Sequence, residues 1–315
     1  MSPSSGKPAT TERLMVLDTP SLYFRAFFGV PDTITAPDGT PVNAVRGLLD
    51  FIARLVTDRT PTHLVAAMDA DWRPDFRVQA IPSYKAHRVA SGDAEEVPDP
   101  LVPQVAIIED VLAALGVPTL GVDGYEADDV IGTLATGAAR PVDVVTGDRD
   151  LFQLVDDARQ VRVLYTARGV GRHDVVDEAW VHAKYGIPGT AYADFATLRG
   201  DPSDGLPGVP GVGEKTAASL VTKYGSLAAI LAALDAGDTG MPAGARARLA
   251  AARDYLEVAP VVVAVATDVP VPRFRDDARI QAQPVDAEGL LELSQRWGLE
   301  SSLNRVLNAF GTVTG

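Results

Sequence analysis

Nine carboxylates in this sequence fall where a fold can gather them: Asp18, Asp69, Glu126, Asp128, Asp129, Asp148, Asp150, Asp201 and Asp204. In a chain without cysteine, such acids suit hard cations. Magnesium or manganese take oxygen ligands and keep several waters. Two such ions about 4 Å apart can activate a water and stabilise the leaving oxygen of a phosphodiester. Each acid also has a plainer explanation. Asp128 and Asp129 could simply favour a helix N-terminus, Asp148 and Asp150 could form a capped strand-to-helix turn, and Asp18 could be a turn residue. Independent roles of that kind do not require the whole set to fall on one edge.

The elements that must position these acids follow from hydrophobic patterning. Residues 13–18 (RLMVLD), 63–69 (HLVAAMD) and 142–148 (VDVVTGD) read as buried parallel strands, each ending in Asp. Helical patterns at 42–56, 100–115 and 126–137 lie between them. This alternation predicts an α/β layer with right-handed crossovers, and ligands in such sheets bind beyond the carboxyl ends of the strands. Residues 71–100 form a long insertion carrying Trp72, Arg73, Phe76, Arg77, Tyr84, Lys85, His87 and Arg88. Long loops in compact domains are functional or disordered. From Leu206 the character changes again. Gly208, Gly211 and Gly213 allow close backbone approach to a phosphate and present N–H groups at a helix start, where Lys215 adds charge. An Ala-rich helical stretch at 227–252, a strand at 261–266 and helices at 287–297 and 301–309 complete the reading.

Bulk properties set the frame. The 315 residues predict one large unit with a smaller appendage, and an apolar content of 46% can fill a core. No apolar run approaches the roughly 20 residues needed to span a bilayer. Residues 1–11 read as a disordered tail and not as a signal peptide, so no membrane partner and a cytoplasmic address are expected. The net charge of −14 argues at first against nucleic acid. That veto is weak where the acids form a metal site, because divalent ions turn such a cluster from repelling phosphate to binding it.

Four segments carry a resemblance: GYEADDVIGTLA (124–135), TGDRDLFQLV (146–155), GDPSDGLPGVPGVGEKTA (200–217) and YKAHR (84–88). In this order and spacing they resemble the 5′-nuclease superfamily, specifically the 5′→3′ exonuclease domain of bacterial DNA polymerase I and its freestanding flap-endonuclease relatives. The resemblance extends from Leu14 to Leu307. It implies a PIN-like, mostly parallel α/β domain over 12–190 with a helical arch at about 70–100. It further implies a helix–hairpin–helix unit over 191–260 that grips duplex DNA, and a C-terminal region, 261–315, packed on the core. Asp18, Asp69, Glu126 and Asp128 match one metal cluster, and Asp148, Asp150 and Asp204 a second, with Asp129 and Asp201 contributing from outside. Two divalent ions are implied, and a third in some relatives.

Lys85 and Arg88 match residues that reach the scissile phosphate, Arg25 a basic residue nearby, and Phe24 an aromatic that stacks on an unpaired base. Arg73, Arg77 and Tyr84 of the insertion, with Thr216 and Lys223 of the hairpin unit, are further candidate DNA contacts. The hairpin carbonyls hold a potassium ion in some relatives. The implied substrates are DNA with 5′ flaps, nicks or 5′ ends, and RNA primers, acted on by a monomer. Two departures bear on this. Thr19-Pro20 follows Asp18 where relatives carry Gly and a small polar residue, which predicts a stiffer loop. Gly205 replaces the usual Asn, which predicts a looser one. The chain also lacks a polymerase region, so a polymerase I is not expected. Two other readings compete: a DNA-binding protein that has lost catalysis, and a PIN-type ribonuclease, which would have neither insertion nor hairpin.

Overall fold

The computed structural model describes residues 12–91, 94–272 and 278–314; the predicted tail, 1–11, lies outside them. Among the described residues there are eight strands: β1 (Leu14–Asp18), β2 (His63–Ala67), β3 (Val89–Ser91), β4 (Ala94–Glu95), β5 (Thr119–Leu120), β6 (Val142–Thr146), β7 (Val161–Tyr165) and β8 (Asp174–Val176). Six of them form one sheet in the order β5-β2-β1-β6-β7-β8, parallel throughout except where β8 closes antiparallel on β7. Leu14 pairs with both His63 and Val142, so β2, β1 and β6 start level and end level. Asp18, Asp69 and Asp148 therefore leave the sheet on one edge.

Every residue of β1, β2 and β6 is buried, because the pleat sends alternate side chains into two cores. Val16, Val144 and Val163 face the layer containing helix Ala127–Gly137 and the helical unit beyond it. Met15, Leu17 and Val145 face Asn43–Arg59, Val102–Leu115 and the C-terminal helices Ala287–Trp297 and Glu300–Thr314.

Three expectations need correction. Residues 261–266 are not a strand. The helix Arg253–Val263 runs through Pro260 and buries Leu256, Ala259, Val262 and Val263 at helical spacing, and that periodicity outweighs the β-branched run. The Ala-rich stretch divides into Leu227–Asp235 and Ala243–Ala251, broken by Gly237 at φ +68° and by Pro242. The insertion is no long helical arch. It contains a six-residue helix, Asp75–Ala80, one 3₁₀ turn, Ala86–Arg88, and the β3–β4 hairpin, with 92–93 outside the described residues. Pro74 and Pro82 bracket that helix and keep it short.

Candidate metal centre and nucleic-acid interface

A cleft of about 380 Å³ opens at the carboxyl edge of the sheet, lined among others by Asp18, Asp69, Glu126, Asp128, Asp148 and Asp201. Local structure fixes each acid. Asp18 ends β1 and caps the helix Thr19–Gly29, accepting the Ser21 N–H at 3.1 Å, while its other oxygen accepts the Thr146 hydroxyl at 2.6 Å. The loop expected after Asp18 is thus absent, because the helix begins at once with Pro20 in its first turn, where proline is tolerated. Asp69 accepts the Ala127 N–H at 2.8 Å, and Glu126 is the N-cap of the helix it precedes. Asp148 turns back to accept the Asp150 N–H at 2.8 Å.

Burial and like charge shape the electrostatics. Burial pushes Asp18 and Glu126 up to about 7. Asp128, Asp148 and Asp150 are also raised, by burial first and then by neighbouring carboxylates. Asp150 Oδ1 is buried with no hydrogen-bond partner. An all-oxygen donor set suits divalent cations, which would relieve both the mutual repulsion and the orphaned carboxylate oxygen. Among the described residues no three acids form a finished ion cage.

The insertion crosses over this cleft as a strap. Lys85 Nζ lies 3.0 Å from Glu126 Oε1, and Arg88 Nη2 lies 2.8 Å from Asp204 Oδ1. Burial alone would lower the Lys85 pKa, but Glu126 and its neighbours hold it well above the usual value. Lys85 sits at φ +47°, pinned by its N–H to the Asp204 carbonyl at 2.9 Å. Gly205, expected to loosen this loop, tightens it. At φ +73° it lets the strap pass so close that a Cβ there would stand 2.1 Å from the Ser83 carbonyl oxygen.

Phe24 is half-buried and lines the cleft, and the Arg25 guanidinium lies beside Gly147 at its border. Trp72 of the insertion also lines it, as do Glu95 and Arg149, of which patterning gave no sign. Arg149 Nη2 holds Asp201 at 2.6 Å. Burial alone would raise the Asp201 pKa, but hydrogen bonds from Ser203 and Arg149 outweigh it and the group is lowered.

Several candidates stand elsewhere. Asp129 is fully buried outside the cleft, gripped by Arg77 at 2.8 and 2.6 Å and closing a capping box with Glu126. It is frame and not ligand, and Arg77, 2% exposed, cannot touch DNA in this arrangement. Tyr84, 3% exposed, donates its hydroxyl to both Glu126 oxygens at 2.9 and 3.0 Å. Arg73 ties the strap together by donating to the carbonyls of Tyr84 and Pro82. Sequence patterning could not foresee the pairing of Arg77 with Asp129 or of Tyr84 with Glu126, because those partners lie 52 and 42 residues apart along the chain.

Beside the cleft, Asp201 and Leu206 exchange two backbone hydrogen bonds and lead into the hairpin. Gly208, at φ +64°, packs where a Cβ would meet the Arg199 carbonyl carbon and oxygen at 2.5 Å. Gly213 caps the helix Glu214–Tyr224, whose first turn carries the exposed Lys215 and the half-buried Thr216. The Gly211 carbonyl already accepts from Arg248 Nη1 at 3.1 Å. Lys223 does not join this group. It lies at the far end of the helix, donating to the Gly240 carbonyl and stacked on Tyr224.

Two family models cover most of the chain: 5′-3′ exonuclease, N-terminal resolvase-like domain, over residues 13–186, and 5′-3′ exonuclease, C-terminal SAM fold, over 187–287. The chain belongs to the 5′-3′ exonuclease family. It is 62% identical to a 5′-3′ exonuclease of Streptomyces coelicolor over 93% of this chain and 98% of that one. It is 43% identical to a DNA polymerase I of Mycobacterium bovis over 85% of this chain and 29% of that protein. A solved bacteriophage T5 flap endonuclease, in complex with DNA and metal ions, shares the fold at TM-score 0.63 and 17% identity, over 95% of this chain and 99% of that one. Family membership makes the chain an enzyme, a hydrolase of nucleic-acid phosphodiesters.

Proposed function

We propose that this exonuclease is a structure-specific enzyme that hydrolyses DNA at 5′ flaps, nicks and 5′ ends by two-metal-ion catalysis, in replication and repair. RNA primers are within its reach, because nothing in the proposed chemistry depends on the sugar. One observation carries the reading. Acids from separate chain segments line a single cleft, directly beneath a strap bearing Lys85 and Arg88 and beside a glycine hairpin.

Asp18, Asp69, Glu126 and Asp128 would hold one divalent ion, and Asp148, Asp150 and Asp204 the other. When bound, magnesium or manganese supplies an activated water and neutralises phosphate charge. The remaining roles belong to the chain itself. Lys85 and Arg88 leave their carboxylates to bear on the scissile phosphate, where a cation aimed at developing charge lowers the barrier. Arg25 steadies the same strand from the border of the cleft. Phe24 stacks on the unpaired base next to the junction, a contact worth about 1–3 kcal/mol that ignores sequence. Hairpin amides and Lys215 hold the duplex by its phosphates. A potassium ion at the hairpin would have to share the Gly211 carbonyl with Arg248.

End-labelled flap, nicked and single-stranded substrates, incubated with magnesium or manganese and with a chelator control, test the proposal. Short 5′ products that require the ion are expected. Products that persist in chelator would overturn the metal role, and tight flap binding without products would leave a binding protein.

A further inference from the structure

The backbone that leaves the helical unit after helix Arg253–Val263 runs into the frame of the catalytic cleft with most of its polar groups captured. Arg77 Nε donates to the Val262 carbonyl at 3.1 Å and Nη2 to that of Ala264 at 3.4 Å. Gln153 Nε2 donates to the Val263 carbonyl at 3.1 Å, while its Oε1 accepts the Val265 N–H at 3.1 Å. Asp129 Oδ1 accepts the Ala266 N–H at 2.8 Å. The same side chains grip both halves of the carboxylate set. Arg77 is bidentate on Asp129, whose Oδ2 accepts the Glu126 N–H at 3.2 Å, and it lies 3.4 Å from the Glu126 carboxylate itself. Gln153 Nε2 also donates to the Asp150 carbonyl at 2.8 Å. Neither Arg77 nor Gln153 lines the cleft.

We propose that Arg77 and Gln153 are positioning residues that transmit duplex engagement by the helical unit to the two carboxylate clusters and to the strap. The inference rests on the nuclease reading above. Helix Arg253–Val263 packs on Tyr192–Arg199, which leads directly into Asp201 and the hairpin. A shift of the hairpin unit on duplex therefore moves residues 262–266. A planar guanidinium held by four groups cannot follow one of them without moving against the rest. Buried, satisfied polar networks of this kind are rigid, so a displacement at one member is passed to the others. Displacement of Arg77 carries helix Asp75–Ala80, and with it Tyr84 and Lys85, while displacement of Gln153 carries the turn that begins at Asp150. Substrate duplex bound at a distance thus sets the register of cation and carboxylate in the cleft.

The test compares single-turnover cleavage of two flaps at saturating enzyme, one with a duplex arm long enough to reach the hairpin and one trimmed short of it. Wild-type protein should cleave the long-arm flap faster. Arg77→Met and Gln153→Met should lose that advantage, slowing long-arm cleavage roughly ten- to hundredfold, the scale of a small misplacement at a reacting centre. Flap affinity should stay within about twofold of wild type, and Arg77→Lys should recover part of the rate. Equal losses on both flaps, or a loss confined to affinity, would overturn the proposal. If Arg77→Met does not fold, Gln153→Met decides alone, since it strands no buried charge. Wild-type cleavage without arm-length dependence would sink the coupling only, whereas no wild-type cleavage at all would sink the nuclease reading first.

Discussion

At the residue scale the cleft separates groups that make chemistry from groups that hold them. Asp148 faces the cleft just beyond β6, its backbone N–H donating to the Thr146 hydroxyl at 2.8 Å, so Asp148→Asn changes charge with little change of shape. Cleavage of a labelled flap should fall below detection, while the flap Kd, measured in calcium or without ions, should change little. Retained cleavage would remove Asp148 from the mechanism. Lys85 sits on Glu126 in this arrangement, and its proposed partner in the reaction is phosphate. Lys85→Ala should lower kcat by about 10²–10³, the usual scale for one electrostatic stabiliser, with a much smaller change in KM; a defect confined to KM would reassign it to binding. Lys215 is exposed on the first turn after the hairpin. Lys215→Ala should weaken duplex binding and reduce the slope of log K against log salt by about one. An unchanged slope would place it away from phosphate.

At the scale of elements, the strap depends on one backbone position. Gly205→Asn should impair this chain, because a Cβ there collides with the Ser83 carbonyl. Flap cleavage should fall several-fold with the cooperative melting curve preserved, and full activity would show that the strap tolerates a shift. The same elements show what the sequence could and could not reveal. Strands β1, β2 and β6 were legible because burial on both faces leaves a short, mostly apolar run with an Asp at or just beyond its end. β7 was not, because its run VRVLY carries Arg162 and ends in Tyr165 with no acid to mark it. The run Val261-Val262-Val263 has strand composition, and only the helix already in progress from Arg253 decides its form. Asp18, Asp69, Glu126, Asp128 and Asp148 could be inferred from their positions at strand ends and helix starts, whereas Glu95, which also lines the cleft, could not. Asp129 could not be told from Asp128, because only the fold brings Arg77 to one and not to the other.

At the scale of the molecule, crowding of acids links stability to ions and to pH. Asp18 and Glu126 rise to about 7 from ordinary values of 3.8 and 4.5, chiefly through burial. The folded, ion-free protein therefore binds more protons than the unfolded chain across that window. Stability from these groups is present below about 4 and is lost as pH rises through about 7. In chelator, Tm should decline over that range, and magnesium or manganese should raise it more at pH 8 than at pH 5. A Tm indifferent to divalent ions would argue against a site there. The remaining feature is where the cations are placed. Lys85, Arg77, Arg88 and Arg149 all lie against the protein's own carboxylates, within a net charge of −14. Sliding along DNA depends on a diffuse positive face that ordinary duplex can hold, and these four cations are engaged in internal pairs instead. The protein would reach its targets through repeated free encounters, so its residence on a chromosome would follow the number of broken or branched ends and not the length of intact DNA around them.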